Sequence, residues 1–181
     1  PLGSPSPPSA APSRSDLHTP PRLSGLAAQG AGAAHQVERY IRQTNAALRG
    51  RPSSLRVTPH MCRRHYRSSW TAESGYDFDA EALFGGLDGD GFFLEYDDAR
   101  SGGFEPLRFV PPGKMVVLGL VTTKRPELES KDALKRRIDE AARFIPLEQL
   151  CLSGQCGFSS TVEGNQLTLD EEKAKLGRQG G

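Results

Sequence analysis

The chain has 181 residues, of which 36% are hydrophobic and 25% charged, with a formal net charge of +1. That length suits one domain with a real core and falls short of the roughly 250 residues of a complete α/β barrel. A near-neutral balance excludes a broad electrostatic footprint for nucleic acid or a membrane surface, and with no apolar run of about 18 residues no transmembrane helix is expected. Three cysteines cannot build a disulfide framework, and the odd count suits reduced thiols in a cytoplasmic setting.

Pro1-Leu2-Gly3-Ser4 has the look of a scar left by cleavage of an expression tag, and residues 5–34 are Pro, Ser, Ala and Gly with few bulky apolar side chains. Such a segment buries too little to offset its ordering entropy, so residues 1–34 are expected to be disordered or draped on the domain. A helix is predicted from about Ala34 to Leu48, with Val37, Tyr40, Ile41, Ala47 and Leu48 on one stripe and Gly50 and Pro52 stopping it. Residues 55–62 read as a strand, and Arg63 to Ser69 as a polar loop. Asp79 is placed to cap a short helix over Ala80 to Leu87, whose inner face carries Leu83, Phe84 and Leu87.

A strand over Phe92 to Tyr96 and an acidic, Gly-rich loop follow. Met115 to Val121 is almost entirely apolar, as a parallel strand covered on both faces would be. Ser130 caps the next helix, which turns Leu134, Ile138, Ala141, Ala142 and Ile145 inward and ends at Pro146. Leu150 to Ser153 is the fourth strand. Thr168-Leu169-Asp170-Glu171 is a capping-box pattern opening a last helix that Gly177 cuts short. Repeated strand-then-helix units predict a parallel α/β sheet over residues 35–177, with 178–181 as a flexible tail.

Three of the strands end in metal-ligand types. His60 and Cys62 stand two positions apart, which on an extended strand turns both to one side. Glu95 ends the second such run and Cys156 follows the last. An imidazole, two thiolates and one carboxylate make a reasonable donor set for Zn2+. A lone His-x-Cys pair is usually core or chance; its coincidence with Glu95 and Cys156 at matching strand ends favours a site. Glu95 has the alternative of a surface ion pair with Arg100. Cys151 reads as a small buried hydrophobe, and Arg63-Arg64-His65-Tyr66-Arg67 as a solvated basic loop rather than an anion site. Asp97, Asp98, Arg100 and Ser101 are candidates to support Glu95 or a substrate. Ligands at the C-terminal ends of parallel strands lie where α/β barrels keep their active sites.

These residues resemble the cobalamin-independent methionine synthases, specifically their C-terminal catalytic barrel and its short stand-alone relatives. The likeness covers roughly residues 36–176. It is carried by His60-Met61-Cys62, by the run from Phe93 to Gly102 through Glu95-Tyr96-Asp97-Asp98, by Leu134 to Ala142, and by Gln155-Cys156-Gly157-Phe158. The resemblance implies a (β/α) TIM-barrel type fold of which this chain supplies the last four βα units, a half-barrel. It implies Zn2+ held by His60, Cys62, Glu95 and Cys156, binding the thiol of homocysteine as thiolate for attack on the methyl group of a methylfolate. Three features depart from the family: Val121-Thr122-Thr123-Lys124 lacks the His expected near the end of the strand before the last, the first four βα units have no counterpart, and the last helix stops early.

The rival reading is a metal-binding half-barrel that is inactive alone and needs a partner, either a second copy or a complementary half. Methyl transfer between a thiol and a corrinoid is a third. Four strands cannot close a barrel, so their edges invite association.

Overall fold

The computed structural model describes residues 13–15, 31–61, 65–66, 69–70, 76, 79–98, 101–155, 157–158 and 164–179. Strands β1 (Ser13–Ser15), β2 (Val57–Met61), β5 (Gly91–Glu95), β6 (Met115–Val121) and β7 (Leu150–Gly154) form one parallel sheet in that spatial order. Strands β3 (His65–Tyr66) and β4 (Ser69–Trp70) pair antiparallel as a separate hairpin. The helices are α1 (Ala31–Leu48), α2 (Ala80–Gly86), α3 (Lys131–Ala141) and α4 (Leu169–Gln179). The mixed α/β class and the parallel sheet are as the sequence predicts. Among the described residues the sheet is open, with β1 and β7 at its edges, and no closed barrel is formed.

Several elements differ from expectation for identifiable reasons. Within the stretch expected to be disordered or draped on the domain, Ser13–Ser15 lie against Val57–Pro59 as an edge strand, a pairing that the composition of the segment does not encode. Where a polar loop is predicted after β2, the backbone makes the short hairpin His65↔Trp70 and Tyr66↔Ser69. The link from β5 to β6 carries a 3-10 turn, Glu105–Phe109, where a repeating βα unit would have an α-helix. Helix α4 passes through Gly177 to Gln179, because one glycine lowers helix propensity by only about 1 kcal/mol.

The caps follow local chemistry. Ser130 Oγ accepts from Ala133 N–H at 3.1 Å to open α3. At α4 the capping box forms in full, with Thr168 N–H donating to Glu171 Oε2 at 2.7 Å and Glu171 N–H to Thr168 Oγ1 at 3.3 Å. The Thr168 N–H, together with the Thr168 hydroxyl that donates to the same oxygen at 2.8 Å, holds the Glu171 carboxyl below its usual range. Asp79 occupies the N-cap position of α2 without a side-chain capping bond. Gly50 adopts φ 74° just past α1, a conformation that favours glycine.

The sheet has two unlike faces. Met61, Phe92, Leu94, Val116 and Leu118 alternate along their strands and are at most 2% exposed, packed with Val37 of α1, Leu83 and Phe84 of α2 and Leu134 of α3 in one core. Each such side chain contributes about 1.5–3 kcal/mol by leaving water. The opposite face carries Thr58, His60, Phe93, Glu95, Val117, Gly119, Cys151 and Ser153, as the register of adjacent strands requires. Phe93 and Val117 there are only half-buried, and Cys151 is exposed. Cys151 is therefore not the buried small hydrophobe expected of it: in the register it falls on the face away from the core.

Candidate metal centre at the strand C-termini

His60 and Glu95 both lie at the C-terminal ends of neighbouring parallel strands. The register pairs His60 with Phe93, so Glu95 stands two residues further along the same face, with about 8 Å between the two Cα positions by standard strand spacings. Both are buried, at 5% and 2% exposure, and the His60 ring is tilted against Phe93 at 6.4 Å between centroids. Cys62 and Cys156, the other two expected ligands, lie outside the described residues, as do Arg63, Arg64, Arg67 and Arg100. Among the described residues no three His, Cys, Asp or Glu side chains are grouped to hold a metal ion. The four-ligand set is thus described only by its imidazole and carboxylate.

Among the described residues Glu95 is partnered by Lys124; Arg100, the ion-pair partner considered for it, lies outside them. Lys124 Nζ donates to Glu95 Oε1 at 2.9 Å and to Asp97 Oδ2 at 2.8 Å, with the three side chains 6%, 1% and 1% exposed. Lys124 occupies the very stretch where the resemblance leads one to expect a histidine. Its signal in the sequence is one of two adjacent cations, Lys124-Arg125, shortly after an apolar strand, which local pattern does not distinguish from surface charges.

The backbone that carries Lys124 is tightly held. A register irregularity between Gly119 and Val121 bends the end of β6, and Gln155 N–H donates to Val121 O at 2.8 Å beyond it. Thr122 N–H donates to Glu129 Oε1 at 2.9 Å, Asn165 Nδ2 to Thr123 O at 2.8 Å, and Thr123 Oγ1 to Gln155 Oε1 at 3.1 Å. Lys175 of α4, fully buried, in turn donates to Glu127 O at 2.5 Å and to both Glu129 carboxylate oxygens at 3.3 Å. Gly119 faces Glu95 in the register, and a Cβ there would lie 3.0 Å from Leu94 O, so any side chain would have to push neighbouring backbone aside by a few tenths of an ångström.

A second residue that sequence reasoning missed is Tyr76. Its hydroxyl donates to Met61 O at 2.8 Å and accepts from Glu95 N–H at 2.9 Å, clasping the ends of β2 and β5 between the two proposed ligands. The ring is buried against Tyr96 and Phe84, at centroid distances of 5.4 and 6.4 Å.

The residues present fit a bound cation. Two buried carboxylates, Glu95 and Asp97, converge on one ammonium, a concentration of acceptor oxygens suited to a cation. Asp97 Oδ1 is buried and has no hydrogen-bond partner among the described residues. His60 and Glu95 are also the donor types that zinc accepts beside thiolates.

The fold and site define a parallel α/β protein with its polar centre at the strand C-termini, and comparison with known proteins points the same way. No family model matches the sequence. Two proteins of Bacillus subtilis (strain 168), the uncharacterized proteins YxjG and YxjH, are 57% and 54% identical over 138 residues, 76% of this chain. The chain spans only 36% and 37% of their lengths. Among solved structures, a Listeria monocytogenes protein provisionally assigned as a vitamin-B12 independent methionine synthase is 34% identical with a TM-score of 0.56, over 80% of this chain and 40% of that one. A B12-independent methionine synthase from Shewanella sp. W3-18-1, in complex with selenomethionine, has a TM-score of 0.63 at 17% identity, over 87% of this chain and 42% of its own, a likeness of fold. No helix among the described residues is long and apolar enough to cross a membrane.

Proposed function

We propose that this chain is the zinc-binding half of a methyltransferase of the methionine-synthase type, taking homocysteine or a similar thiol as methyl acceptor and methyltetrahydrofolate as donor. The observation that carries the reading is the buried polar centre at the C-terminal ends of β2 and β5, where His60 and Glu95 share a face. The 34% identity to the Listeria protein supports the same class. His60 and Glu95, with Cys62 and Cys156, would hold the zinc. When bound, zinc supplies a thiol held as thiolate at neutral pH. The chain's own part is to fix the donors: Tyr76 ties the two strand ends together, and Lys124 and Asp97 balance the charge beside Glu95.

The half-uncovered face of the sheet favours a second element of the reading. Phe93 and Val117 are half-buried beside the proposed ligands, and among the described residues the sheet ends in open edges. A complementary set of strands, from a second copy or a separate half, would cover that face and complete the substrate site.

The test is the metal content of protein purified without chelators. We expect about one zinc per chain in the wild type, lost in Cys62→Ser, Cys156→Ser and Glu95→Gln and retained in Cys151→Ser, whose thiol is exposed on β7. Wild-type protein free of zinc, or zinc that survives both Cys62→Ser and Cys156→Ser, would overturn the assignment.

A further inference from the structure

The ammonium of Lys124 occupies the carboxylate that the preceding reading gives to the metal. Its contacts are short, at 2.9 Å to Glu95 and 2.8 Å to Asp97, and all three side chains are out of water. A divalent ion bound to Glu95 would sit about 2.0–2.2 Å from an oxygen of the same group, and would repel an ammonium on that carboxylate. Both cations therefore draw on the same carboxylate.

The surroundings say which part moves. The Val121–Thr123 backbone is pinned by Gln155, Glu129 and Asn165, so the strand end that carries Lys124 stays where it is. A lysine stem is a flexible four-carbon chain bearing a compact charge. Asp97 already accepts from that charge through Oδ2, and its Oδ1 has no partner among the described residues. A place for the ammonium thus exists that leaves Glu95 free.

We propose that Lys124 is a tethered stand-in for the metal: its ammonium bridges Glu95 and Asp97, and where zinc takes Glu95 it withdraws onto Asp97, which is the positioning residue for it. The proposal rests on the zinc reading above. It makes the stability of chelator-stripped protein and the affinity for zinc two measures of one coupling, since whatever the Lys124–Glu95 contact contributes must be given up when metal binds.

The experiment compares wild type, Lys124→Met, Asp97→Asn and the double variant, each stripped with a chelator and then titrated with zinc against a chromophoric competitor, with thermal melts in both states. Stripped Lys124→Met is expected to melt several degrees below stripped wild type, and zinc to raise its midpoint more than it raises that of the wild type. Its zinc affinity should be about tenfold tighter or more, and Asp97→Asn should bind zinc about tenfold more weakly. In the double variant the Asp97→Asn effect should largely vanish, because Asp97 acts through Lys124; two charges acting independently on the metal would instead give additive changes. If Lys124→Met does not fold, Lys124→Gln carries the same expectations. Wild type that binds one zinc while Lys124→Met binds it no more tightly overturns this proposal and leaves the zinc reading intact. Zinc bound by Lys124→Met alone supports the proposal and removes the zinc reading for the native chain. No zinc in any variant overturns both.

Discussion

Replacing Tyr76 by Phe removes a single oxygen and leaves the ring packed against Tyr96 and Phe84. The cost then isolates the clasp between β2 and β5. Glu95 N–H loses its acceptor and Met61 O loses its donor, both in buried surroundings. At about 1–2 kcal/mol for each backbone group left without its partner, the expected loss is about 2–4 kcal/mol. For a domain of this size that is a fall in Tm of roughly 6–15 °C. Urea unfolding followed by circular dichroism measures the free energy, and the slope with urea should stay unchanged because the surface exposed on unfolding is the same. The two strands carry His60 and Glu95, so the variant should also hold zinc less tightly than wild type. A loss below about 0.5 kcal/mol would refute the reasoning, since the hydroxyl would then be no more than a surface ornament of the strand ends.

The remaining expectations concern the rest of the frame. Leu118 and Val117 are adjacent on β6 but face opposite ways, fully buried in the core and half-buried outside it. Leu118→Ala should cost about 2–5 kcal/mol and Val117→Ala less than about 1 kcal/mol in the isolated chain, and equal losses in denaturant titrations would contradict the two-faced sheet. Asp90 should give an acid-sensitive stability. Burial works against its charged form, but hydrogen bonds from Val57 N–H, Arg51 and Arg56, with the charge of Arg51, outweigh it and hold the carboxyl below its usual range. Because the folded value lies below the unfolded one, the stabilisation is complete above the ordinary aspartate range and is lost as the pH falls through it towards the folded value. Wild type should therefore exceed Asp90→Asn in stability at pH 6 and converge with it on acidification; a constant gap would show that the carboxylate's charge is not what matters.

What the sequence by itself determined is whatever depends on neighbours a few residues apart. The 3.6-residue stripe of α1, the Ser130 cap, the Thr168–Glu171 box and the apolar run of β6 are local patterns, and each appears where the pattern puts it. The placement of His60 and Glu95 at strand C-termini was legible for the same reason, since it follows from where the apolar runs stop. Only tertiary structure decided the contacts that make those positions a centre. Lys124 reaches Glu95 across 29 residues of chain, Tyr76 joins Met61 and Glu95 across 15 and 19, and Lys175 reaches Glu129 across 46. Each of these depends on which strands pair and in what register. A shift of one residue in a strand would turn its side chains to the other face while leaving every local pattern in the sequence unchanged.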